Sequence, residues 1–196
     1  MAKITHDSLM TLEAYSKARN DFRAKTMAHK KNRTVHLGDH ITLIFEDELT
    51  MRYQIQEMLR AEKIFEEAGI QDELDAYNPL VPDGSNWKAT MMVEYEDIDE
   101  RKEMLGKLIG VEAKVWAKVS DFEKVYPIAD EDLERETEEK TSAVHFLRFE
   151  LTKEMTQALH KGAKLEMGVD HPQYQVSLEV HQAVRDSLAQ DITPQI

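Results

Sequence analysis

The residues of this chain best able to do chemistry converge on one short segment, MRYQIQEMLRAEKIF, Met51 to Phe65. At helical spacing Met51, Ile55, Met58 and Phe65 share one face, and Glu62 falls near the centre of that apolar stripe. A carboxylate there has three open readings. It runs past the edge of the core into water; it pairs with a buried cation such as Arg148 or His145; or it binds a metal or acts as a general base with a raised pKa. On a second face stand Tyr53, Glu57, Arg60 and Ile64, where Glu57 and Arg60 are spaced for an intrahelical ion pair. Glu57, Arg60, Glu62 and His145 are therefore the candidates for catalysis. Each has an ordinary structural reading beside the chemical one.

Histidines supply the other donors. His36 and His40 flank Gly38-Asp39 and would approach each other across a hairpin turn, half of a metal site; Glu62 and His171 are the further candidate ligands. His171 precedes Pro172, which holds it extended between two strands. Chance spacing is the stronger explanation of the His pair in a chain with 8 histidines. The segment YNPLVPDGSN, residues 77–86, has loop composition, and loops of this kind connect elements or line sites. Asn78 and Asn86, with Tyr53, are the candidates for cofactor contact; the cofactor itself is unknown.

Composition narrows the classes. With 38 acidic against 25 basic residues the formal charge is −13, which opposes nucleic-acid and anionic-membrane binding. The densest basic run, Lys25 to Arg33, reads as a solvated helix end. No cysteine is present, so no thiolate nucleophile, Cys-ligated zinc or Cys-held iron–sulfur cluster can reside in this chain. The sequence has no phosphate-binding glycine loop, no Gly-x-Ser-x-Gly elbow, no His-Glu-x-x-His motif and no paired Glu-x-x-His of a helical di-iron site. The opening MAKITHDSLMTLEAY lacks a signal-peptide core and no run is long enough to span a bilayer, so the cytoplasm is the expected compartment.

These groups need elements to position them. Leu9 to about Lys31 reads as a helix, Thr34–Leu37 and Ile41–Phe45 as a hairpin, and Glu46–Ala68 as a long helix capped by Gly69, with a turn of helix at Gln71–Ala76. Strands follow at Trp87–Tyr95, Val115–Val119 with Val125–Ile128 as a hairpin, Ala143–Leu151, Leu165–Val169 and Val176–Val180. Helices are expected at Ile98–Leu108, from Thr152 to His160, and over Gln182–Ala189. In Ala143–Leu151, His145 alternates with Leu147 and Phe149 and so faces the core. Between Asp130 and Glu139 seven of ten residues are acidic, a solvated or partner-facing run. Hairpins outnumber crossovers, so the fold is α+β. A mainly antiparallel sheet of seven or eight short strands, curved toward a half-barrel, packs with one long central helix and three or four others. One domain is expected over residues 1–196, an N-terminal helix over about 8–31 and a core over 34–190.

The stretches RTVHLGDHITLIFEDELT, YQIQEMLRAEKIFEEAGIQDELDAYNPLVPDGSN and ETEEKTSAVHFLRFEL resemble a bacterial family of about this length known only as a domain of unknown function. The likeness runs from SLMTLEAY to DHPQY. It rests on Phe45, Glu46, Asp47, Gln54, Gln56, Glu57, Met58, Arg60, Glu62, Asn78 and Asn86. It implies no assigned activity and no catalytic residue to carry over. Genes of the family stand beside those for rubrerythrin-like proteins and an iron–sulfur oxidoreductase. By association this implies an accessory role in peroxide or oxygen handling, with those proteins as docking partners for the acidic run at Asp130–Glu139. A homodimer is a further arrangement open to such a chain. The competing expectation is a metal or small-molecule binder, an enzyme with a polar pocket walled by the long helix, the Tyr77–Asn86 loop and the His145 strand.

Overall fold

The computed structural model describes residues 3–194. Among the described residues are six α-helices and eight strands, and the strands form two antiparallel sheets. The first sheet has the order β1 (Thr34–Leu37), β2 (Ile41–Glu46), β3 (Asn86–Val93), β6 (Val144–Glu150), β5 (Ile128–Ala129). The second runs β4 (Val115–Val119), β7 (Leu165–His171), β8 (Tyr174–Glu179). The alternating patterns explain the packing: Leu43 and Phe45, Trp87, Ala89 and Met91, and Leu147 and Phe149 turn one face of the first sheet inward. They meet Val115, Ala117 and Val119 and Leu165, Met167 and Val169 of the second sheet. Helices α5 (Lys153–His160) and α6 (Gln182–Ala189) add Met155, Leu159, Val184 and Leu188 to this core. The N-cap of α5 is Thr152, whose hydroxyl accepts from the Met155 amide at 3.2 Å.

A smaller core lies among α1 (Leu12–Lys30), α2 (Glu48–Ala61) and α3 (Glu67–Tyr77), where Met51, Ile55 and Leu59 pack with Ile4, Leu74 and Val81. The remaining helix, α4 (Ile98–Lys107), follows β3. No helix among the described residues is long and apolar enough to cross a membrane.

Two segments depart from the expected elements for identifiable reasons. The long helix ends at Ala61: Lys63 adopts φ 52°, and the Ile64 amide reaches back to the Leu59 carbonyl at 2.9 Å while the Lys63 amide reaches Arg60 at 3.3 Å. This is a Schellman stop built on lysine, with Ile64 returning into the helical core beside Leu59. Gly69 lies inside α3 and caps nothing; a Cβ there would stand 2.7 Å from Ile64 Cγ2, so glycine is the residue that lets the returning chain pack. Phe65, expected on the stripe, is 74% exposed. The second departure is the hairpin expected from Val115 to Ile128. Val125 makes only a bridge to Ala117, after which the chain crosses to the first sheet and Ile128–Ala129 pairs with Arg148 and Leu147.

A buried ion pair ties the ends of the fold together. Arg33, wholly buried, donates to the carbonyls of Phe45 and Glu46 and grips both carboxylate oxygens of Asp191, at 3.0 and 2.5 Å. Burial pushes the Asp191 carboxyl up to about 6 against the pull of Arg33.

A buried histidine–carboxylate centre and a neighbouring cavity

Most residues singled out by spacing prove to be structural fasteners. Glu62 sits at the C-terminal end of α2, exposed, so the carboxylate on the stripe leaves the helix for water. Glu57 faces α1 rather than Arg60: it accepts from the Tyr15 hydroxyl at 2.8 Å and from Arg19 Nε at 2.8 Å, while Arg60 is exposed. Burial raises the Glu57 carboxyl, but the bonds from Arg19 and Tyr15 outweigh it and hold the pKa below the usual value. Tyr53 stacks on Phe22 of α1, ring centroids 6.1 Å apart. Asn78 brackets the backbone of Ile4, accepting from its amide and donating to its carbonyl at 2.9 Å each, and Gln56 does the same for Met10. Asn86 donates to Glu150 at 2.8 Å and accepts from the Asp83 amide, closing the turn into β3.

The histidine pair does not converge. In the register of the hairpin His36 lies opposite Thr42, and His40 instead stacks on Tyr95 with its Nδ1 at 2.8 Å from the Glu94 carbonyl. His171 has both ring nitrogens engaged by backbone, Nε2 with the Ile109 carbonyl and Nδ1 accepting from the Gln173 amide. None of the three meets another metal-ligating side chain in a cluster among the described residues.

His145 is different. Strand alternation carries it inward to complete burial, and three other segments bring oxygen atoms to it. Asp130, just after β5, places Oδ2 2.5 Å from Nδ1; its other oxygen accepts from the Phe146 amide at 2.9 Å and Arg135 at 3.1 Å. On the far side of the ring, Nε2 lies 2.8 Å from Thr141 Oγ1, 3.0 Å from the Ser142 carbonyl oxygen and 3.9 Å from Glu112 Oε2. Glu112 follows Gly110, which takes φ 81° to turn the chain inward and whose amide donates to Glu136 at 2.9 Å. Burial, helped by the neighbouring Glu136, pushes the Glu112 carboxyl up, against the pull of its own backbone amide and of His145. Ligating atoms of Glu112, Asp130 and His145 all lie within 4.8 Å of one another.

The ring's surroundings favour one tautomer. With Nδ1–H donated to the Asp130 carboxylate, the Nε2 lone pair faces the Thr141 hydroxyl, which can donate to it, with the Ser142 carbonyl and Glu112 beside it. The same tautomer leaves Nε2 able to ligate a metal ion. Glu112, Asp130 and Thr141 were not singled out by their spacing. The available signal was Asp130 opening the acidic run, fifteen residues before a histidine on an inward strand face.

A cavity of about 420 Å³ opens on the opposite face of the first sheet, between the turn at Asn78–Leu80 and strands β3 and β6. Tyr77, Pro79, Leu80 and Phe146 give it apolar walls, with Lys88 and Arg148 as its cations. Lys88 donates to the Pro79 carbonyl at 2.7 Å; burial, then the nearby Arg148, lower its pKa. The wall that was expected from the long helix comes from the end of α3 instead.

Residues 3–192 match the family model described as "Protein of unknown function (DUF3501)". A crystal structure described as a novel protein of unknown function from Burkholderia pseudomallei is 55% identical, with a TM-score of 0.93 over 98% of this chain and 100% of that one. None of the curated protein sequences matches the chain. By a match over nearly its whole length, the chain belongs to the DUF3501 family of proteins of unknown function.

Proposed function

We propose that this protein binds a first-row divalent cation at the His145 centre. The observation that carries the reading is the run of oxygen atoms around Nε2. Thr141 Oγ1, the Ser142 carbonyl and Glu112 Oε2 lie 2.8, 3.0 and 3.9 Å from it. Ligands held at about 2.0–2.4 Å from one ion are separated by about 3 Å, so these atoms are spaced as neighbours in one coordination shell. Asp130 then takes the supporting role, receiving Nδ1–H and fixing the ring so that Nε2 presents its lone pair. One imidazole with hard oxygen donors suits zinc, manganese or ferrous iron rather than thiophilic ions. The test is metal analysis of freshly purified protein, then titration of chelator-treated protein with Mn²⁺ and Zn²⁺. Stoichiometric binding that is lost in Glu112→Gln and His145→Gln supports the reading. Failure of the folded wild-type chain to bind either ion sinks it.

A second reading, an accessory protein docking on rubrerythrin-like and iron–sulfur partners, draws support from the surface of the acidic run. Asp130, Asp132 and Arg135 pair among themselves, Glu131 pairs with Arg148 and Glu136 holds Gly110. Glu134, Glu138 and Glu139 remain exposed beside Leu133, itself 55% exposed, and supply charge and an apolar contact for a basic partner. Co-purification from native extract at low salt tests it; capture of neither redox protein counts against it.

A further inference from the structure

The geometry points to a second site, independent of the metal reading: the cavity between Asn78–Leu80 and β6 takes a small organic monocarboxylate with an apolar tail, and Glu131 of this chain occupies its carboxylate position. Arg148 projects from the outer face of β6, its guanidinium forked onto Glu131, Nε to Oε2 at 2.9 Å and NH2 to Oε1 at 2.6 Å, while NH1 donates to Glu150. A planar fork presented at the mouth of a cavity is the geometry that recognises a carboxylate in two parallel bonds. Glu131 shows that chemistry satisfied from within the chain.

Glu131 is loosely held. It lies on an exposed segment, its side chain is 49% exposed, and among the described residues its hydrogen bonds come from Arg148. The pair is partly exposed and screened by solvent, so a diffusible carboxylate that gains further contacts can displace Glu131 from the fork. What a free ligand adds is its tail. Behind the fork Tyr77, Pro79, Leu80 and Phe146 form apolar walls that the short Glu131 side chain does not need. At about 420 Å³ the space lies within the roughly 300–1,000 Å³ of small-molecule sites.

Charge sets the class further. Lys88 adds a second positive group from β3, half-buried and held by the Pro79 carbonyl. Asp75 and Asp132 at the same cavity, and Glu150 on the NH1 side of Arg148, oppose a second negative charge on the ligand. One carboxylate therefore fits better than a dicarboxylate or a phosphate ester.

Benzoate and hexanoate are suitable probes, titrated by heteronuclear NMR into chelator-treated protein so that the outcome does not depend on metal. Wild type is expected to bind with shifts confined to Tyr77–Leu80, Lys88 and Phe146–Arg148. Glu131→Gln should bind about two- to fivefold more tightly, the competitor having been removed. Arg148→Gln should abolish the shifts, and Phe146→Ala should weaken hexanoate more than acetate. Equal affinity in wild type and Arg148→Gln, or no shift with either probe in folded wild type and Glu131→Gln, overturns the inference. Tighter binding of inorganic phosphate than of benzoate would overturn the ligand class.

Discussion

Replacing Asp130 with asparagine isolates the part of the His145 centre that orients the ring. The carboxylate makes two charge-assisted contacts, to His145 Nδ1 at 2.5 Å and Arg135 at 3.1 Å, and accepts from the Phe146 amide at 2.9 Å. Asparagine can keep the bond from Phe146 with its one carbonyl oxygen, but it turns an amide toward the ring. Charge-assisted bonds contribute about 1.5–3 kcal/mol and neutral ones about 1, so the loss at two contacts comes to about 2–3 kcal/mol with the partly exposed Arg135 discounted. Backbone strain does not enter: Asp130 has φ 50°, a conformation that asparagine shares and alanine resists by about 1–2 kcal/mol. Asp130→Ala should therefore unfold in urea about 1–2 kcal/mol sooner than Asp130→Asn. Both should weaken Mn²⁺ or Zn²⁺ binding by about 10–100-fold, the usual effect of removing a carboxylate behind a ligating histidine. Competitive titration against a fluorescent chelator reads the second quantity independently of the first. An affinity within about twofold of wild type in Asp130→Asn would refute the assignment of Asp130 as the group that fixes Nε2.

Three further outcomes follow from named contacts. Lys63→Gly should stabilise the protein by about 0.5–1 kcal/mol, because glycine adopts the φ of 52° at the helix stop without a Cβ penalty; a lower urea midpoint would contradict the Schellman reading. Glu62→Gln should change stability by no more than about 0.5 kcal/mol and leave metal content untouched, since the side chain is exposed past the end of α2; a change in bound metal would restore Glu62 to the site. Asp191, whose pKa rises from 3.8 to about 6 on folding, binds its proton more tightly in the folded chain. Its contribution is therefore complete below pH 3.8 and is lost as pH rises through 6, so wild type should lose up to about 3 kcal/mol relative to Asp191→Asn over that window. A constant difference across pH 4–7 in denaturation curves would show that Arg33 cancels the effect of burial.

Much of the fold was legible because it rests on local rules. Strands β1 and β4 and helix α6 begin and end where periodicity places them, and Thr152 caps α5 with its own hydroxyl. The long helix stops short of its sequence pattern because its stop is a lysine in a left-handed conformation, a backbone choice fixed by Ile64 returning to Leu59 rather than by any local preference of lysine. The same limit applies to the site. His145 is readable as an inward residue of an alternating strand, but Glu112 reaches it from a one-turn 3-10 helix 33 residues away and Asp130 from a turn 15 residues away, and nothing periodic marks such a convergence. Conversely Asn78, Gln56 and Glu57 stand out in the sequence because they fasten distant backbone or helices, a duty that demands particular side chains as strictly as chemistry does.

The acidic run carries the most instructive reversal. Read as charge alone, residues 130–139 form one solvated patch. In the fold, consecutive carboxylates are sent to opposite sides of the first sheet. Asp130 enters the core to His145, while Glu131 stays outside on Arg148. The left-handed turn at Asp130 makes this division, and its cost is offset by the Phe146 amide and the buried ring that its carboxylate satisfies. Glu136 then returns the chain to Gly110 beside Glu112, so that the run is anchored at both ends of the His145 centre. Net charge predicts repulsion among these groups; their separation onto a histidine, two arginines and a backbone amide is what allows them to share ten residues.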